Sequence, residues 1–93
     1  MRISSRLLRL GAARERAGDW PAAAALYEQA GRLPGFPLAA LALGEAARSS
    51  AMAGDGPQAI ALYDESLAAT DGRPAPPHLR SQLEEMRALQ NLD

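Results

Sequence analysis

The chain has no cysteine and no lysine, one histidine, one asparagine, and only four aromatic side chains among its 93 residues. Without cysteine there is no disulfide, no thiolate metal site and no cysteine nucleophile, and the compartment is left open. His78, the single histidine, sits beside a proline-rich stretch with no second histidine to share a metal and no thiol to activate, so its role reads as incidental. Adjacent acids such as Asp64-Glu65 and Glu84-Glu85 project in different directions from a helix and make no paired-carboxylate site. No apolar run approaches the ~20 residues of a membrane span. The opening Met-Arg-Ile-Ser-Ser-Arg-Leu-Leu-Arg-Leu lacks the uninterrupted apolar stretch of a secretory signal. Its arginine and serine content suits an organelle transit peptide better, but the same residues have a use in the pattern described next.

What is abundant is alanine, 21 residues of it, and a repeat. Residues 17–30 (Ala-Gly-Asp-Trp-Pro-Ala-Ala-Ala-Ala-Leu-Tyr-Glu-Gln-Ala) recur 36 positions later as residues 53–66 (Ala-Gly-Asp-Gly-Pro-Gln-Ala-Ile-Ala-Leu-Tyr-Asp-Glu-Ser), eight of the fourteen identical. A period in the thirties with helix-compatible composition between copies predicts an all-α stack of antiparallel helical hairpins, each burying its apolar face on the next. With so few bulky side chains, the core must come from close backbone approach.

Apolar spacing divides the chain into about five helices. Ile3, Leu7 and Leu10, continued through Ala13 or Arg14 to Ala17, predict a first helix ended by Gly18-Asp19. Asp19 caps a second helix over about 20–33, with Pro21 in its first turn and Ala23, Leu26, Tyr27 and Ala30 turned inward. Pro34-Gly35-Phe36-Pro37 breaks it. A third helix runs from about Pro37 to Ala53, offering Leu38, Leu43, Ala46, Ala47 and Ala53 for packing. Gly54-Asp55-Gly56-Pro57 then repeats the turn chemistry and launches a fourth with Ala59, Leu62, Tyr63 and Leu67. After the proline-rich 71–77, Leu79, Leu83, Met86, Leu89 and Leu92 outline an amphipathic capping helix. The expected organisation is one domain over 1–93: about 4–35, 36–73, and the cap at 74–93.

Leu7, Leu10-Gly11, Gly18-Asp19-Trp20, Ala23, Tyr27 and Ala30, repeated as Leu43, Ala46-Ala47, Gly54-Asp55, Ala59 and Tyr63, resemble the tetratricopeptide repeat family. Small residues at 11, 23, 30, 47 and 59 let backbones approach while Tyr27 and Tyr63 fill the space between hairpins. Arg14 and Ser50 stand where the family usually has a bulky aromatic, and Gly56 replaces the turn aromatic. The resemblance implies a protein-protein interaction module, not an enzyme, with no cofactor, binding a protein or peptide on the face made by the first helix of each hairpin. Carried over, that face takes Ser5, Arg9, Ala12 and Arg16 from the first helix and Leu41, Glu45, Arg48 and Met52 from the third. Arginines there suit an acidic partner. The blander reading makes them solvated, with Glu45 and Arg48 a helical i,i+3 pair. The family's carboxylate clamp of lysine and asparagine has no counterpart, since lysine is absent and Asn91 is the only asparagine.

Charge is divided unevenly. Residues 1–16 hold five arginines and one glutamate, net +4, and residues 17–93 hold five arginines and ten acids, net −5. Without interleaved aromatics or a recognised motif, the basic end is a weak nucleic-acid signal. Two hairpins and a helix fall short of the roughly three repeats a stack usually needs. A homodimer through the first helix (Ile3, Leu7, Leu8) or the last (Leu79, Met86, Leu92) is therefore the competing expectation. So is a fragment of a larger protein, because the Gly-Asp-x-x-x-Ala-x-x-x-Tyr units resemble those of bacterial tandem-repeat envelope proteins.

Overall fold

A computed structural model describes residues 2–69 and, beyond them, positions 81, 84, 85 and 88. The proline-rich stretch, the spacing of the capping helix and His78 lie outside the described residues. Four helices follow one another: α1 (Arg2–Arg16), α2 (Trp20–Gly31), α3 (Ala39–Met52) and α4 (Gly56–Ala68). Each packs on its neighbour in the chain, so α1/α2 and α3/α4 form two hairpins joined by the α2–α3 contact.

The turns are alike because their residues are alike. At the end of α1, Gly18 has φ 78°; its N–H donates to Glu15 O and that of Asp19 to Arg14 O. At the end of α3, Gly54 has φ 86°, with the same bonds from Gly54 to Ala51 O and from Asp55 to Ser50 O. This paired bonding satisfies the last helical carbonyls and needs a residue tolerant of positive φ. The aspartates then start the next helices: Asp19 Oδ1 accepts from Ala22 N at 3.3 Å and Asp55 Oδ1 from Gln58 N at 3.2 Å. Pro21 and Pro57 occupy first-turn positions where no amide is needed.

The core is built from small side chains around two tyrosines. Ala23, Ala30, Ala46, Ala47 and Ala59 are fully buried, with Leu43, Leu62, Tyr27 and Tyr63 among them. Close approach is literal at two glycines. A Cβ on Gly11 would stand 3.0–3.1 Å from the Tyr27 ring, and one on Gly31 would stand 2.6 Å from Cγ and Cδ2 of Leu43. Serines share the interior: Ser4, Ser49, Ser50 and Ser66 are buried. Ser66 Oγ donates to Ala40 O at 2.6 Å, tying α4 to the start of α3.

Several apolar positions differ from the sequence expectation. Ile3 and Leu10 share a face, as their spacing requires, but that face is solvent: they are 62% and 46% exposed. The inward stripe of α1 is Ser4, Leu8, Gly11 and Glu15, roughly 100° round the helix. Gly11 under the Tyr27 ring fixes that phase. Leu8 consequently packs on the core and is half-buried, not free for an interface. Leu26 is only half-buried, and Leu38 and Ala53, at the margins of α3, are exposed.

Candidate functional site

Two ion-pair clusters join the hairpins, one on each side. On the α1/α3 side, Nη2 of Arg48 lies 2.7 Å from Glu15 Oε1 and 2.8 Å from Glu45 Oε2. Tyr27 O–H donates to the same Glu15 oxygen at 3.1 Å, and the Arg48 guanidinium lies 5.9 Å from the Trp20 ring centroid, inside cation–π range. On the α2/α4 side, Arg32 bridges Glu28 at 2.8 Å and Glu65 at 2.9 Å, with Gln58 Nε2 donating to Glu28 Oε1 at 3.4 Å.

The Arg48 cluster is partly shielded, and its electrostatics reflect that. The hydrogen bond from Arg48 holds the Glu15 carboxyl below the usual glutamate range, outweighing the opposing effect of burial. Burial, reinforced by the Glu15 charge, pushes the Tyr27 hydroxyl up to about 12, so it stays a donor. Burial works against the Arg48 charge, but its bonds to Glu15 and Glu45 raise its pKa further. A half-exposed pair of this kind stabilises by roughly 0.2–1 kcal/mol; its larger effect is to fix where Arg48 lies.

Around this cluster the two carried-over stripes divide into outer and inner members. Ser5, Arg9 and Arg16 on α1, and Leu41 and Met52 on α3, are exposed. Ala12, Glu45 and Arg48 are half-buried between them. The Glu45–Arg48 pair of the blander reading is present, but Arg48 is also held by Glu15 of the other hairpin. Sequence spacing alone carries no signal for that second contact, nor for the Tyr27 and Trp20 contacts. Among the described residues Arg9 and Arg16 make no ion pair, although the Arg16 charge contributes to lowering the Glu15 pKa.

A cleft of about 390 Å³ opens elsewhere, where the starts of α2 and α4 meet the end of α3. It is lined by Pro21, Ala24, Ala25 and Ala53 together with Glu28, Ser50, Asp55 and Gln58. Its polar groups are largely spoken for: Glu28 by Arg32 and Gln58, and Asp55 by the amide it caps. Among the described residues no three metal-ligating side chains come together, and no helix is long and apolar enough to cross a membrane.

A tetratricopeptide repeat family model matches residues 7–34, from mid-α1 through α2 and the turn after it. Neither curated proteins nor solved structures yield a significant match. The matched segment is the first hairpin, and the second repeats its turns, caps and buried tyrosine 36 positions on. Residues 7–34 thus carry a tetratricopeptide repeat, and the all-helical second hairpin extends its pattern, which supports a protein-interaction module in general.

Proposed function

We propose that this repeat protein is a non-catalytic adaptor that binds an acidic protein or peptide segment on its α1/α3 face. The observation that carries the reading is the pairing of exposed residue types across that face. Arg9 and Arg16 stand exposed on α1, in no ion pair among the described residues, while Leu41 and Met52, about half exposed, stand on α3. Between them the Glu15–Arg48–Glu45 cluster holds the helices in register. A partner with carboxylates towards α1 and apolar side chains towards α3 would gain charge-assisted hydrogen bonds and apolar burial together. Ser5 and Glu45 add polar contacts at the margins, and Arg48 is held by the cluster through one terminal nitrogen. Because the helices are already fixed, little ordering cost falls on the binding step.

Self-assembly is the competing reading, whether as a homodimer or as a section of a longer bacterial repeat scaffold. It has less behind it at α1, where Leu8 is turned into the core and pairing two copies would oppose their arginines. Photo-crosslinking separates the two. A benzophenone side chain at Leu41 or Met52 should capture a partner in cells, and one at Gln29 or Ala61, exposed on α2 and α4, should not. Capture from all four positions, or crosslinks only between copies of the chain, would overturn the adaptor reading.

A further inference from the structure

The solvent-facing arc of α1 combines two properties found together on no other helix described. Ile3 and Leu10 are its exposed large apolar residues, with Leu7 half-buried between them. Arg6 and Arg14 are exposed beside them on the same arc, while Arg9 and Arg16 lie round towards the α1/α3 side. The helix's one acid, Glu15, is turned inward and neutralised by Arg48. The outer face of α1 is therefore cationic and apolar at once, with no carboxylate of its own on it.

The repeat shows what this face is not built for. Positions 36 further on in α3 are Ala39, Leu43, Ala46 and Ser50. There Leu43 lies against Gly31 of α2, Ala46 is fully buried, and buried Ser50 lines the cleft beside Ala24. That seat admits a helix because Ala39, Ala46 and Ser50 are small and Gly31 on the facing helix leaves room for Leu43. In α1 the same positions carry Ile3, Leu7, Leu10 and Arg14. A helix stacking here as α2 stacks on α3 would meet Leu10 where Ala46 should be, and would have to bury the Arg14 guanidinium. A second copy meeting through the same face would oppose arginines to arginines.

We propose that the outer face of α1 is a docking surface for an anionic lipid bilayer, separate from the α1/α3 protein-binding face. Protruding Ile3 and Leu10, with half-buried Leu7 between them, enter the headgroup boundary without a matching rigid groove. The arginines beside them bind lipid phosphates, their aliphatic stems lying along the apolar stripe. Each arginine near an anionic surface is worth about fivefold in affinity, so attachment is reversible and depends on several charges acting together.

Co-sedimentation of the full chain with phosphatidylglycerol/phosphatidylcholine vesicles, and with phosphatidylcholine alone, tests this. The wild type should partition to the mixed vesicles, not to the neutral ones, and high salt should release it. The double variant Arg6→Gln/Arg14→Gln should lower the partition coefficient roughly 25-fold, and Ile3→Ser/Leu10→Ser should lower it as well. Both substitute exposed residues, and circular dichroism checks that each stays folded. Met52→Ser, apolar and exposed but on α3, should leave partitioning unchanged, which separates this surface from the adaptor face. No binding to the mixed vesicles, or equal loss in Met52→Ser, overturns the proposal. So does a concentration-dependent rise in mass abolished by Ile3→Ser/Leu10→Ser, which assigns the face to a second copy.

Discussion

Gly31→Ala sets helix propensity against packing, and the geometry decides the sign. Glycine costs a helix roughly 0.5–1 kcal/mol relative to alanine, and less near a helix end, where Gly31 closes α2. On propensity alone the substitution stabilises. The added Cβ, however, would stand 2.6 Å from Cγ and Cδ2 of Leu43 and 3.3 Å from its backbone nitrogen. Leu43 is 5% exposed and packed among Ala46, Ala47 and Tyr27, so its side chain cannot swing away without displacing the core. Overpacking of this kind costs typically 1–3 kcal/mol, leaving a net loss of about 1–2 kcal/mol. For a chain of this length that is a fall of roughly 4–15 °C in Tm. Thermal and urea denaturation followed by circular dichroism measure it. The Leu43→Ala background supplies the control, because with the obstructing atoms removed Gly31→Ala should become neutral or stabilising. A Gly31→Ala protein at least as stable as the wild type, with Leu43 intact, would refute the close α2–α3 contact.

Three other perturbations reach different parts of the account. Leu62→Ala removes a side chain that is 1% exposed and should cost roughly 2–5 kcal/mol in denaturant unfolding; an unchanged midpoint would place Leu62 outside the core. Ser66→Ala deletes the bond to Ala40 O and should cost about 1 kcal/mol, measured the same way. Glu15 has a folded-state pKa below its unfolded value, so its stabilisation is complete above the unfolded value of about 4.3 and is lost as pH falls through the folded one. Acid titration of Glu15→Gln should accordingly lack part of the wild-type loss of stability below about pH 4; identical acid limbs would show the Arg48 contact to be unimportant in solution.

The fold was legible where local chemistry repeats. Gly18-Asp19 and Gly54-Asp55 mark helix ends by φ and by capping, properties of a few adjacent residues, and Ala23, Tyr27, Ala59 and Tyr63 followed from them. The phase of α1 was not legible, because its most regular apolar stripe faces outward while Ser4 and Gly11 face the core. Small residues carry no hydrophobic signal, yet in an alanine-built stack they mark the closest contacts. Ser49 and Ser66 are hidden for the same reason. At the candidate site, exposure of Arg9, Arg16, Leu41 and Met52 agrees with helical spacing. The engagement of Arg48 by Glu15 joins two hairpins and lies beyond any local pattern.

The most direct test of the central claim, that function resides on the α1/α3 face, is a binding titration of the isotopically labelled chain with the captured partner segment, followed by amide chemical shifts. Shifts should concentrate at Arg9, Arg16, Leu41 and Met52, weaken as salt is raised because exposed charges are screened within about 8 Å at physiological ionic strength, and diminish in Arg9→Glu/Arg16→Glu. Shifts concentrated on α2 and α4, with affinity indifferent to those two substitutions, would contradict the account.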